Sequence, residues 1–174
     1  DTWIATLKGN SPVYYGPDGT DQSDVALNMQ FIFRTTETSL EAQATNYLEQ
    51  VKTVGNSGST SRKGMFHGFP AIYLLSSFTM NGVDYQQVQI MAERDAYYYW
   101  ISYTAPKAVF EKYRYVLNHA AATFRFKSII NNAGQPNSQP QGGFQELGRR
   151  IDDVMEDLFG SQKGNATGNI RSQP

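Results

Sequence analysis

The sequence predicts an α+β domain in which helices flank an antiparallel β-sheet. Three observations indicate this class: residues 25–34 alternate between apolar and polar side chains, residues 39–54 and 106–124 carry apolar side chains at helical spacing, and Asn81-Gly82 joins two strand-like runs. Strands that come in blocks separated by helices are typical of a sheet with helices packed on it. The length of 174 residues fits one such domain with an appendage.

Two strands are predicted at the start of the chain. Residues 2–7 (TWIATL) have strand composition, and Gly-Pro-Asp-Gly at residues 16–19 is a strong turn signal. Residues 25–34 follow with strict alternation, which predicts a half-buried strand. Its apolar face would carry Val25, Leu27, Met29, Phe31 and Phe33.

A helix is predicted next, over residues 39–54. Thr38 or Ser39 would cap its first turn, and Gly55 would end it. The polar residues 55–64 predict a mobile connection, with one more short strand possible at residues 13–15 or 63–67. The buried stripe of the helix would contain Leu40, Ala44, Tyr47, Leu48 and Val51.

The clearest part of the predicted fold is a three-stranded meander over residues 69–80, 83–93 and 97–104. Asn81-Gly82 supplies both positive φ angles of a type I′ hairpin turn between the first two strands. Pro106 is predicted to open the last helix, because a missing N–H costs nothing in the first turn. That helix would bury Val109, Phe110, Tyr113, Val116, Leu117, Ala120 and Phe124.

The aromatic run Tyr97-Tyr98-Tyr99-Trp100 leaves two interpretations open. In a strand, Tyr97 and Tyr99 face one side and Tyr98 and Trp100 face the other. Cover on both faces is the favoured interpretation. The alternative is that one pair of rings presents an aromatic contact surface, because Tyr and Trp supply large area with little conformational freedom to lose.

Residues 1–130 resemble the PsbP-like superfamily, which includes the extrinsic P protein of photosystem II, DcrB-type bacterial envelope lipoproteins and a Ran-binding nuclear-transport regulator. The matching features are Gly-x-Pro-Ala at residues 68–71, the Asn-Gly hairpin, "YTAP" at residues 103–106 and "TFRF" at residues 123–126. The resemblance implies an antiparallel sheet flanked by helices. It also implies a binding module or accessory subunit, although fold alone does not transfer function.

Composition and motifs argue against several function classes. The 15 Lys and Arg are scattered among 16 Asp and Glu, so no basic stripe for nucleic acid is predicted. The absence of cysteine excludes disulfides, thiol catalysis and cysteine-bound metal. His67 and His119 lack acidic or histidine neighbours at helical spacing, and Glu93 and Asp95 are expected to be solvated beside a turn. The sequence therefore predicts no catalytic residue, no cofactor and no metal site.

The chain beyond residue 130 predicts a tethered amphipathic helix. Residues 131–143 contain Ala133 as their one apolar residue and are predicted to be a flexible linker. Residues 144–160 have apolar side chains at helical spacing, and residues 161–174 are predicted to be a disordered tail. The predicted partner-binding stripe consists of Phe144, Leu147, Ile151, Val154, Met155, Leu158 and Phe159.

The apolar stripe of this helix needs cover, because an isolated helix of this length is marginal in water. Three surfaces could cover the stripe: that of its own domain, that of a second copy of the chain, or that of another protein. The linker would span about 20 Å as a random coil. A helix that folds back on its own domain would need only a short turn, so a linker of this length does not favour folding back. A partner protein is therefore favoured.

The predicted function is that of a non-catalytic accessory subunit of a larger, membrane-associated protein assembly. No nucleic-acid partner is predicted. The subunit would be peripheral rather than integral to the membrane, since the sequence has no apolar run of membrane-spanning length. By analogy with the envelope and thylakoid members, an extracytoplasmic location is expected. Two alternatives stay open: a small-molecule-binding protein with a pocket between the sheet and the helix after Ser39, and a soluble module like the GTPase regulator.

Overall fold

The computed structural model of the chain describes residues 3–8, 11–34, 38–53 and 56–126. The predicted linker, amphipathic helix and tail lie outside these residues, as does the stripe from Phe144 to Phe159, and they stay predictions. None of the helices in the described ranges is long and apolar enough to cross a lipid bilayer. The elements are β1 (Ile4–Lys8), β2 (Ser11–Tyr15), β3 (Ala26–Phe33), α1 (Leu40–Thr53), β4 (Asn56–Phe66), β5 (Phe69–Met80), β6 (Val83–Arg94), β7 (Tyr97–Pro106), α2 (Phe110–Tyr113) and α3 (Tyr115–Thr123).

The described strands form one antiparallel sheet in the order β1-β2-β3-β7-β6-β5-β4. The predicted meander is confirmed as β5-β6-β7, and Asn81 and Gly82 have φ angles of 53° and 78°, as a type I′ turn requires. α1 packs on one face of the sheet, and α2 and α3 pack on the other. The predicted α+β class, an antiparallel sheet flanked by helices, is therefore confirmed.

Each face of the sheet buries its own apolar cluster. On the first face, Leu40 and Ala44 of α1 cover the centre of the meander. On the second face, Phe110, Leu117 and Ala121 of α2 and α3 close a larger cluster. The strand residues under α1 are Ile72, Leu74, Met91 and Tyr98, and those in the larger cluster include Val25, Leu27, Tyr73, Leu75, Val88, Ile90, Ile101 and Tyr103.

The prediction of a mobile connection over residues 55–64 is wrong, because Asn56–Phe66 forms the edge strand β4 and pairs with β5 along its length. An edge strand has a partner on one side only, and Ser61, Arg62 and Lys63 of β4 are exposed. Its polar composition therefore resembles that of a loop. Both short strands that the sequence left open exist: β2 contains residues 13–15, and β4 extends to Phe66.

The first helix matches its prediction closely, whereas the last one begins later than predicted and is divided at Arg114 into α2 and α3. α1 begins at Leu40, and the Ala42 N–H donates to the Ser39 hydroxyl oxygen at 3.1 Å, which confirms the Ser39 cap. Pro106, however, is the last residue of β7 and does not open a helix. Its carbonyl accepts a hydrogen bond from the Val109 N–H at 3.0 Å, so a turn intervenes before α2 begins at Phe110.

The described chain ends on the α2–α3 face. The ring of Phe126 lies 4.7 Å from that of Tyr99 and 5.0 Å from that of Phe69. The buried Arg94 guanidinium stacks on Phe69 and Phe126 at 4.8 and 5.2 Å, and its Nε lies 3.3 Å from an Asp95 carboxylate oxygen. The described chain therefore ends at an anchored point beside β7.

Candidate functional site

Aromatic side chains lie uncovered at one end of the α2–α3 face. Phe31 and Phe33 are 61% and 65% exposed, and they stand opposite Tyr99 and Tyr97 in the register of β3 with β7. The Tyr97 ring meets Phe31 and Phe33 edge to face at 6.0 and 5.6 Å. We call Phe31, Phe33, Tyr97 and Tyr99 the aromatic surface.

The aromatic surface results from an apolar alternation that continues past the cover supplied by the helices. Val25 and Leu27 belong to the cluster closed by α2 and α3, and both are buried. Phe31 and Phe33 share their face of β3 but lie beyond that cluster. The prediction of one buried apolar face over residues 25–34 therefore holds at its start and is wrong at its end.

The aromatic run of β7 divides as its alternation requires. Tyr98 is fully buried under α1, and its hydroxyl donates to the Thr38 carbonyl. Trp100 is partly buried beside Tyr47 on the same face. Tyr97 and Tyr99 are only partly covered on the opposite face. Tyr98 is therefore covered as the favoured interpretation expects, and the other three rings of the run are covered in part, while the contact-surface alternative stays a prediction.

The position of the aromatic surface relates it to the C-terminal segment. Phe126, the last described residue, packs directly on Tyr99. The described chain therefore ends beside the aromatic surface. The predicted partner-binding residues Phe144 to Phe159 are not among the described residues, so the structure neither brings them together nor separates them. Sequence reasoning assigned Phe31 and Phe33 to the core because alternation alone does not reveal where a covering helix ends.

A groove of about 370 Å³ lies on the other face of the sheet, between α1 and β2, β3, β6 and β7. Its position matches the pocket of the small-molecule alternative. We call this cavity the groove. Its wall combines aromatic, amide and hydroxyl side chains and no charged side chain; the residues are Val13, Tyr15, Ala26, Asn28, Gln30, Tyr47, Gln50, Gln87, Gln89, Trp100, Ser102 and Thr104.

Hydrogen bonds between side chains hold much of this wall in place. The Tyr47 hydroxyl donates to Gln87 Oε1, and Gln87 Nε2 donates to Thr104 Oγ1 at 2.8 Å. Gln89 Nε2 donates to Ser102 Oγ at 3.0 Å. Burial raises the pKa of Tyr47 to about 12, so its phenol stays neutral at physiological pH. The groove is therefore an uncharged polar surface whose wall is held in part by side-chain hydrogen bonds.

His67, Glu93 and Asp95, which were considered as candidates for acid–base or metal chemistry, form hydrogen bonds or ion pairs within the fold. His67 Nε2 lies 2.8 Å from the Ala121 carbonyl, and burial lowers the pKa of this histidine. Glu93 forms an ion pair with Arg34, and Asp95 with Arg94. In residues 3–126, apart from the gaps in the described ranges, no three side chains of His, Asp or Glu meet in a metal-binding group. These residues give no geometric support to acid–base or metal chemistry.

Comparison of the sequence with protein-family models and with curated proteins gives no match. Solved structures do match the fold. PA94, a protein of unknown function from Pseudomonas aeruginosa, aligns with a TM-score of 0.59 and 14% identity, over 70% of this chain and 86% of its own. Cyanobacterial PsbP (CyanoP) from Synechocystis sp. PCC 6803 aligns with a TM-score of 0.52 and 14% identity, over 72% and 82%.

A third similar structure is that of LpqN, involved in cell envelope biogenesis of Mycobacterium tuberculosis. It aligns with a TM-score of 0.50 and 14% identity, over 68% of this chain and 74% of its own. Identities this low concern the fold alone. They confirm the PsbP-like fold that the residues of the meander and of the last helix predict.

Proposed function

We propose that the chain is a non-catalytic accessory subunit that binds a membrane-associated protein assembly on the extracytoplasmic side. The observation that carries this proposal is the aromatic surface beside the end of the described chain. Exposed aromatic rings in contact with one another are typical of the centre of a protein interface. Their cover by an apolar protein surface would complete the face that α2 and α3 close only in part.

The exposed area of Phe31 and Phe33 is large enough to matter for affinity. Full burial of such a side chain is worth about 1.5–3 kcal/mol, and roughly three-fifths of each is still exposed. Covering both would contribute about 2–4 kcal/mol, which corresponds to roughly 30- to 700-fold in Kd. One aromatic surface of this size supports a weak complex, and a second attachment would strengthen it.

The predicted C-terminal helix supplies this second attachment in the proposal. Its stripe from Phe144 to Phe159 would dock on an apolar surface of the same partner, because the described chain ends beside the aromatic surface and the predicted linker would span about 20 Å as a coil. Two weak contacts joined by a tether gain affinity through effective concentration. The arrangement would make binding sensitive to loss of either contact.

The charges around the aromatic surface favour a protein over a lipid surface as its partner. The buried Arg94 on this face is paired with Asp95, and Arg34, which follows Phe33 in the chain, is paired with Glu93 on the α1 face. An anionic membrane surface would attract unpaired Lys and Arg around an apolar patch, and these two arginines do not provide them. The extracytoplasmic location takes its support from the fold shared with CyanoP and with LpqN, the latter involved in cell envelope biogenesis.

The proposal is tested by quantitative pull-down from detergent-solubilised membranes of the source organism, with the full chain as bait. Two variants are compared with it: the double substitution Phe31→Ser/Phe33→Ser and a deletion of residues 131–174. The matched control is Met80→Ser/Val83→Ser, which removes two exposed apolar side chains from the hairpin at the other end of β6. A partner retained stoichiometrically by wild type and control, and lost by both variants, is the expected result.

Melting temperatures of the same proteins separate binding to a partner from folding back. With a separate partner, deletion of residues 131–174 leaves the melting temperature of the domain within about 2 °C of wild type, because the domain core is unchanged. A clearly lower melting temperature together with unchanged recovery of the partner would mean that the helix covers its own domain. That outcome would overturn the proposal.

A further inference from the structure

The strand register places polar side chains in two neighbouring rows on the floor of the groove. Gln89, Ser102 and Asn28 occupy matching positions on β6, β7 and β3, and Gln87 and Thr104 form the next row. Beside these rows on the same face, Ile72, Leu74 and Met91 are apolar and covered by α1. Polar side chains in the middle of a sheet, where apolar ones would pack, indicate a surface shaped for something other than the core.

Polar atoms of this floor lack partners. Gln89 is 3% exposed and uses its Nε2 in the bond to Ser102, but its Oε1 accepts no hydrogen bond. Asn28 Oδ1 and Trp100 Nε1 are likewise buried without a partner. Native proteins leave few such groups, since each loses its hydrogen bonds to water and gains none in return. Two hydrogen-bond acceptors and one hydrogen-bond donor around one cavity indicate a ligand whose groups both donate and accept hydrogen bonds.

The wall also restricts the charge of that ligand. It contains no Asp, Glu, Lys, Arg or His. An ionised ligand would lose its hydration without meeting an opposite charge, which is costly in a partly enclosed site. The volume of about 370 Å³ lies near the lower end of the range of roughly 300–1,000 Å³ for small-molecule sites. The ligand is therefore small, neutral and polar.

Aromatic rings complete the recognition surface. Trp100 and Tyr47 stand edge to face at 5.9 Å on one side, and Tyr15 lies on β2 across the floor. Rings next to amides suit a ligand with hydroxyl groups around an apolar C–H face, which is the chemistry of a sugar. A peptide backbone is bound chiefly by open strand edges, whereas β3, β7 and β6 are interior strands whose backbones are paired.

We propose that the groove binds a neutral saccharide of one or two rings. Gln89, Asn28 and the Trp100 indole N–H hydrogen-bond its hydroxyl groups, after small rotations that bring these atoms to the cavity surface. The rings of Trp100 and Tyr47 cover its C–H face. This site is on the opposite face of the sheet from the aromatic surface, so it does not depend on the proposed protein partner.

The test is a titration of the full chain with neutral mono- and disaccharides, including N-acetylated ones, followed by calorimetry and by the fluorescence of Trp100. Glucuronic acid and a blocked alanine dipeptide serve as charged and peptide probes. The groove variant is Gln89→Leu/Ser102→Ala, which replaces both partners of one hydrogen bond by apolar groups. The control is Gln43→Leu, on α1 but outside the groove.

A saccharide is expected to bind with a Kd of millimolar or lower and to change Trp100 fluorescence. Binding should weaken at least tenfold in the groove variant and stay within twofold in the control. The melting temperature of the groove variant should be unchanged or higher, because an unpaired buried amide is removed; a purely structural role would lower it.

Absence of saccharide binding up to tens of millimolar, or preference for the charged or the peptide probe, would overturn the proposal. The two proposals fail separately. Phe31→Ser/Phe33→Ser should leave saccharide affinity unchanged, and the groove variant should leave partner recovery unchanged.

Discussion

Replacement of Phe126 by alanine should remove a large part of the stability of the domain, although this residue follows the last helix. Phe126 is 3% exposed, and its ring lies within 5.0 Å of the rings of Tyr99, Phe124 and Phe69. The same ring also covers the Arg94 guanidinium. Because Phe126 closes this face of the sheet, it should contribute to the free energy of unfolding, whereas a frayed chain end would not.

The magnitude follows from this burial. Truncation of a buried Phe to Ala costs about 3–5 kcal/mol, as lost transfer free energy and as the cavity left behind. A natural domain has about 5–15 kcal/mol in total. Loss of the ring stacked on buried Arg94 adds to the cost, since a partly desolvated cation–π contact is worth about 0.5–2 kcal/mol. Phe126→Ala should thus lower the melting temperature by at least about 10 °C.

The assay is urea unfolding followed by tryptophan fluorescence and far-UV circular dichroism, with equal m-values confirming that only stability has changed. Tyr115→Ala is the matched control, because this ring on α3 is 59% exposed. The control should change the free energy of unfolding by less than about 1 kcal/mol. If Phe126→Ala changes the free energy of unfolding equally little, Phe126 does not close this face of the sheet and the reasoning is refuted.

Two further predictions concern the backbone and pH. A Cβ on Gly16 would lie 2.1 Å from the Gln22 carbonyl oxygen, so Gly16→Ala should destabilise by about 1–3 kcal/mol or more, whereas Gly58→Ala, with open space around its Cβ, should be nearly neutral in thermal unfolding. Burial lowers the pKa of His67 below its ordinary value of 6.5, so stability contributed by the neutral ring is present above about pH 6.5 and is lost as pH falls through the lowered pKa. Unfolding free energies should fall over this window in wild type and less in His67→Asn, which tolerates the φ of 50° at this position; equal slopes would contradict the assignment to His67.

The two surfaces lie on opposite faces of one sheet, and each occupies the part of its face that a helix leaves uncovered. α1 covers the centre of the meander on one face, and the groove lies beside it over β3 and β7. α2, α3 and Phe126 cover most of the other face, and the aromatic surface lies beyond them. One domain could therefore hold a partner and a small ligand at once.

Local chemistry made much of the fold readable from the sequence. Asn81-Gly82 determines a type I′ turn because both residues adopt positive φ, and the apolar spacing of Phe110, Tyr113 and Leu117 determines which side of the last helices is buried. The Ser39 cap acts within one turn. Such features depend on neighbours a few residues away, so the preference for them is encoded locally. The class α+β and the three-stranded meander follow from them.

Other features depend on partners distant in sequence, and only the tertiary structure decided them. The mainly polar run Asn56–Phe66 is a strand because β5 offers it an open edge. Phe31 is exposed because it lies beyond the cluster that α2 and α3 close. Gln89 and Asn28, each with an unpaired oxygen, come to lie in one row only when β6, β7 and β3 are in register. The alternation of apolar and polar residues indicates which side chains share a face of a strand. Long-range packing decides what covers that face, and no local pattern of residues encodes it.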